Sequence, residues 1–124
     1  MHEISVMNSV VAEVIKIMEE RGFKGVEKIV LDVGALTFLN EEALKFAFDV
    51  IKEDLEGFSG AELVINIIPA EVLCESCGYR GDINVEEDPF YHFALPTLKC
   101  PKCGSEVRIV GGRDCVIRKI TFLS

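Results

Sequence analysis

The chain has 124 residues, 49% of them apolar, and a formal net charge of −8. That length suits one domain or two small ones with a real core. No apolar run reaches the roughly 18 residues a membrane span needs, and an acidic chain repels phosphate backbones, which argues against a nucleic-acid partner. The charge is uneven: residues 1–70 hold 6 Lys/Arg against 13 Asp/Glu, and residues 71–124 hold 7 against 8. The start has no basic n-region, and Glu3, Asn8 and Glu13 interrupt its apolar positions, so no secretory signal is expected. The expected location is therefore the cytoplasm, with the mature chain starting at or near a retained Met1.

Ile4 to Gly22 predicts an amphipathic helix. Met7, Val11, Val14 and Met18 recur at helical spacing, and Ile4, Val10 and Ile15 widen the stripe. Methionines on such a stripe read as core rather than as a metal site. Gly22 stands where a left-handed C-terminal cap is expected. EKIVLDV, residues 27–33, predicts a strand ending near Gly34. Asn40 is the expected N-cap of a second helix, with Glu41 and Glu42 in its first turn as partners of the helix dipole rather than catalytic acids. Leu44, Ala47, Phe48, Ile51 and Leu55 form its expected buried face. ELVINII, residues 62–68, predicts a second strand that Pro69 stops.

From Val72 to about Arg108 the chain turns rich in Cys, Gly and Pro. Residues 106–110 and 114–122 read as strands on either side of Gly111 and Gly112. The last run, DCVIRKITF, is apolar enough to need a partner and is expected to return to the first sheet. The expected fold is therefore α+β: two helices on a small mixed three-stranded sheet, with a zinc-ribbon domain inserted. The expected domains are 1–70 plus 114–124, and 71–113. No internal repeat beyond the two cysteine knuckles is visible.

CESCG, residues 74–78, and CPKCG, residues 100–104, each set two thiols two residues apart before a glycine. The spacing lets both sulfurs of a tight turn reach one metal, and Gly78 and Gly104 can take the positive φ such a turn needs. In a reducing setting such pairs read as metal ligands before disulfides. Four thiolates from Cys74, Cys77, Cys100 and Cys103 suit a closed structural Zn(II) site, which has no vacant position to activate water. Iron–sulfur ligation and a redox C-x-x-C pair are the alternatives. Between Cys77 and Cys100 lie 22 residues, slightly beyond the usual spacing of about 15–20. Cys115 stands apart in an apolar run and reads as a small buried hydrophobe.

His2 follows Met1 directly. The Met1 amine, the deprotonated His2 amide and the His2 imidazole can occupy three corners of a square, closing a five-membered and a six-membered ring. The Glu3 amide, a carboxylate, water or another side chain can take the fourth corner. Square-planar nitrogen donors favour Ni(II) or Cu(II) over Zn(II). The adjacent helix dipole opposes a cation there; deprotonated amides and Glu3 offset it. The other reading of His2 is an ordinary surface histidine.

A chain that begins M-H-E, runs into an amphipathic helix and carries two C-x-x-C knuckles resembles the HypA family of nickel metallochaperones. The stretch VGALTFLNEEALKFAFDVI, residues 33–51, looks like that family's turn and second helix. The resemblance covers essentially the whole chain. It implies an α/β nickel domain and a Cys₄ zinc domain, with Ni(II) as transferred cargo and Zn(II) as a structural group. It implies nickel bound through Met1, His2 and Glu3, and zinc through Cys74, Cys77, Cys100 and Cys103. It further implies a HypB-type GTPase partner and delivery to the [NiFe]-hydrogenase large subunit, some members serving urease as well. The chain departs from the shorter family pattern in its long knuckle spacing. The extra loop carries His92, which reads either as a loop histidine among aromatics or as a further nickel ligand.

The expected function is thus a metallochaperone rather than an enzyme, as a monomer or a dimer. Two rivals stay open: a zinc-ribbon nucleic-acid-binding or transcription accessory module, and a thiol oxidoreductase using one C-x-x-C pair. The first lacks a basic stripe. No catalytic triad, phosphate-cradling glycine loop or open zinc site is visible.

Overall fold

The computed structural model describes residues 3–83 and 99–124. Helix α1 spans Glu3–Arg21 and α2 spans Glu41–Lys52. The strands are β1 (Gly25–Gly34), β2 (Glu62–Ile68), β3 (Glu71–Leu73), β4 (Arg80–Asp82), β5 (Arg108–Gly111) and β6 (Cys115–Leu123). A short 3-10 turn, Ala35–Thr37, follows β1. Among the described residues no helix is long and apolar enough to cross a membrane.

The described residues fall into two compact units. One takes in the described residues of Met1–Asp32, Leu39–Asn66 and Val116–Ser124; the other takes in those of Val33–Phe38 and Ile67–Cys115.

In the first unit β1 lies between β2 and β6. The Lys24 amide donates to the Leu123 carbonyl, and near the far end of β1 the Gly34 amide donates to the Asp114 carbonyl, so β1 and β6 run in opposite directions. Lys28 faces Glu62 at 3.9 Å and Asn66 donates to Asp32 at 3.3 Å, a pairing that ascends together along β1 and β2 and makes them parallel. The sheet is therefore mixed, with α2 in the crossover that parallel strands require. Met7, Val10, Val11 and Val14 of α1 are buried with Ile29 and Leu31 of β1 and with Leu44, Ala47 and Phe48 of α2. The hydrophobic stripe of the first helix thus serves as core.

Asn40 caps α2 as its sequence demands: its side chain accepts from the Ala43 amide at 2.8 Å, satisfying one of the free N–H groups of the first turn. The helix is shorter than its apolar pattern suggests. Ile51 is half-buried, and Leu55 lies past the end, in the turn that leads to the buried Phe58. Ile4 is 60% exposed and does not join the buried stripe of α1. Gly22 takes a φ of +73°, the left-handed conformation expected where α1 stops.

In the second unit β3 lies between β4 and β5, antiparallel to both, with a register irregularity at Glu71/Val72. The turn after β5 moves the chain from this sheet to the first one, where β6 pairs with β1. Gly112 makes that turn with φ +83°; a Cβ there would stand 2.6 Å from the Pro69 carbonyl oxygen, so only glycine fits.

Candidate metal centre

Each C-x-x-C-G stretch folds into the same tight loop. The Gly78 amide donates to the Cys74 carbonyl at 2.8 Å, and the Gly104 amide to the Cys100 carbonyl at 2.9 Å. The Cys74 amide donates to the Tyr79 carbonyl at 2.7 Å, and the Cys100 amide to the Ser105 carbonyl at 2.8 Å. Gly78 and Gly104 have φ of +80° and +76°, which an L side chain resists. The two glycines thus close the two knuckles in the same way.

The loops bring the four sulfurs together. All lie within 4.8 Å of one another. Cys74 and Cys103 sulfurs are 3.5 Å apart, and those of Cys77 and Cys100 are 3.6 Å apart. A tetrahedron with metal–sulfur bonds of about 2.3 Å has edges of about 3.8 Å, so the cluster has the size of a four-thiolate site. The first cysteine of each knuckle is buried and the second exposed. The ammonium of Lys102, in one knuckle, sits 5.7 Å from the ring centre of Tyr79, which follows the other.

Backbone amides turn inward. The Lys102 amide donates to the Cys100 sulfur at 3.4 Å. The Ser105 hydroxyl, then the Ser105 amide, hold the Cys103 thiol down to about 6. The Tyr79 amide pulls Cys77 the same way, but desolvation and its three sulfur neighbours push it up to about 12. Four crowded thiols thus cannot all ionise on their own charge. A bound cation removes that conflict, and donor set, spacing and amide cradle all fit Zn(II). Tyr79, Lys102 and Ser105 were not singled out in the sequence. Their signal was available: each stands two residues beyond a cysteine, where a knuckle amide meets sulfur.

Of the residues expected to hold nickel, Met1, His2 and His92 lie outside the described residues. Glu3 opens α1, and its carboxylate accepts from the Asn40 backbone amide at 3.0 Å. The third residue of the chain is therefore tied to the N-cap of α2. Cys115, expected to be buried, is half-buried, and desolvation raises its thiol.

A mixed-sheet unit joined to a unit with four clustered thiols defines a small metal-binding protein. Residues 1–122 match the model of the family described as hydrogenase/urease nickel incorporation, metallochaperone, hypA, and the chain belongs to this HypA family. It is 38% identical over 121 residues to the hydrogenase maturation factor HypA of Methanothermobacter thermautotrophicus, covering 97% of this chain and 95% of that one. It is 38% identical over 128 residues to the factor of the same name from Methanocaldococcus jannaschii, covering 98% and 96%. The solution structure of the Ni metallochaperone HypA from Helicobacter pylori shares the fold, with a TM-score of 0.67 at 23% identity over 100% of this chain and 99% of that one. A second solution structure of a HypA protein has a TM-score of 0.69 at 24% identity, covering 99% and 97%.

Proposed function

We propose that this chain carries Ni(II) at its N-terminus and releases it to an immature [NiFe]-hydrogenase large subunit, with Zn(II) as the structural ion of its four-cysteine unit. The match to the nickel-incorporation family over residues 1–122 carries this reading. Nickel is the cargo. The Met1 amine, the His2 amide and imidazole, and Glu3 supply its donors, a nitrogen-rich plane suited to Ni(II). The bond from the Asn40 amide to the Glu3 carboxylate supports the reading, because it anchors the residue next to His2. His92 contributes a further ligand.

The nickel part is assigned to 1–70 with 114–124, and the zinc part to 71–113. Cys74, Cys77, Cys100 and Cys103 hold the zinc; a closed four-thiolate ion folds its unit and activates no water, so the protein acts as a carrier rather than an enzyme. The amide and imidazole must lose protons before nickel binds, so affinity falls as pH falls. A HypB-type GTPase is the partner in loading, and the cytoplasm is the compartment.

The test is equilibrium nickel binding by the zinc-loaded chain, by His2→Ala, by His92→Ala and by a chain with one residue added before Met1. The expected result is one Ni(II) per chain, with affinity lost in His2→Ala and in the extended chain and a changed coordination spectrum in His92→Ala. Unchanged affinity in His2→Ala overturns the terminal site. Unchanged affinity and spectrum in His92→Ala remove that ligand alone.

A further inference from the structure

The outer face of α2 breaks three rules that a solvent-facing helix normally keeps. First, it exposes large apolar groups: Phe46 is 68% exposed and Val50 is 49% exposed. At i and i+4 they sit on one face and form a single patch. Second, a row of carboxylates runs beside that patch. At 100° per residue, Glu42, Asp49 and Glu53 fall within about 40° of one another and directly adjoin Phe46 and Val50. Among the described residues only Asp49 of the three meets a cation, Lys52 at 3.5 Å, and both groups of that pair reach solvent. Third, Lys52 in the last turn of α2 is followed at once by Glu53, Asp54 and Glu56, which outnumber it at the end where the helix dipole is negative and cations are preferred. Phe48, two residues from Phe46, is 1% exposed, so Phe46 is not a core residue caught at the rim.

Each feature costs the free protein something, and one kind of occupant removes all three costs. We propose that the outer face of α2 docks a helical segment of a partner protein that presents an apolar stripe flanked by Lys or Arg. The stripe covers Phe46 and Val50, and the basic flank meets Glu42, Asp49 and Glu53. Apolar anchors inside a charged rim are the usual anatomy of helix recognition. A second copy of this chain fits poorly, because two such faces would bring like-charged rows together. Nucleic acid is repelled by the same row. None of Glu42, Phe46, Asp49, Val50 and Glu53 is among the proposed nickel donors or the four cysteines, and the inference stands without either metal site.

The test uses a labelled 16-residue helical peptide with leucines at i, i+3, i+4 and i+7 and lysines elsewhere, titrated with the full zinc-loaded chain and followed by anisotropy. A control peptide keeps the lysines and replaces the leucines with serine. Saturable binding of the leucine peptide is expected, at least tenfold tighter than the control and weakening as salt rises. Phe46→Ser and the pair Glu42→Lys with Glu53→Lys should each lose at least tenfold. Val116→Ser, which changes a 54% exposed apolar residue on β6, should stay within twofold. These substitutions are at exposed positions, and unchanged thermal unfolding checks that each variant folds. The proposal is overturned if the leucine peptide does not bind, if the serine control binds equally well, or if Phe46→Ser binds as the unaltered chain does. It is also overturned if sedimentation shows that Phe46→Ser dissolves a dimer, which would make a second copy the occupant.

Discussion

Removing zinc from the loaded chain should unfold the four-cysteine unit and leave the two-helix unit standing. In the second unit, β3 and β4 have three residues each and β5 has four. Among the described residues, its fully buried apolar side chain away from the sulfurs and β1 is Val72, at 0% exposure. Burying such a side chain stabilises by about 1.5–3 kcal/mol. A structural four-thiolate zinc contributes on the order of 10–16 kcal/mol apparent at neutral pH, so the ion outweighs that burial severalfold. Without it, sulfurs 3.5 and 3.6 Å apart face one another with Cys103 ionised and Cys77, pushed up to about 12, still protonated. The assay is amide NMR during titration with a strong chelator. Amides of 71–82 and 100–111 should collapse to random-coil shifts while those of α1, β1 and α2 keep their dispersion. Cys100→Ser should show the same pattern, because it removes a buried ligand. Calorimetry of zinc uptake at pH 7 in buffers of different ionisation enthalpy should show at least one proton released, since Cys77 must lose its own. Full dispersion of 71–82 and 100–111 after complete loss of zinc would refute the argument that the ion holds this unit together.

Two phenylalanines of one helix should behave oppositely: Phe48→Ala should cost about 3–5 kcal/mol in chemical denaturation, whereas Phe46→Ala, at an exposed site, should stay within about 0.5 kcal/mol. Asn40→Ala removes the acceptor for the Ala43 amide and should cost about 1 kcal/mol by the same measurement. Asp32 is held below its ordinary 3.8, first by the Arg118 guanidinium at 2.8 Å and further by Asn66. A lowered carboxyl stabilises the fold above 3.8, and that contribution is lost as pH falls through the folded value. The unfolding temperature of Asp32→Asn should therefore fall less steeply than that of the unaltered chain below about pH 4.

The parts legible in the sequence are those whose physics is local. The Asn40 cap, the long strands β1, β2 and β6, and the stripe Met7, Val11, Val14 each repeat within one element, and the structure keeps them. The cysteine knuckles were legible for the same reason, since Cys-x-x-Cys-Gly encodes its own turn. β3 and β4 were not, because three residues carry no period and their pairing depends on partners such as Gly111, forty positions from Glu71. The turn after β1 was equally hidden: Phe38 takes a left-handed φ of +55°, which its side chain does not advertise. The bond between Glu3 and the Asn40 amide spans 37 positions and has no local signature at either end. What joins the first residues of the chain to the second helix is thus a tertiary choice. Phe46 marks the limit from the other side. Its type suggests burial, yet the helical period places it outward beside Glu42 and Glu53, where it stands 68% exposed. The basic helix proposed above is the occupant that would cover it.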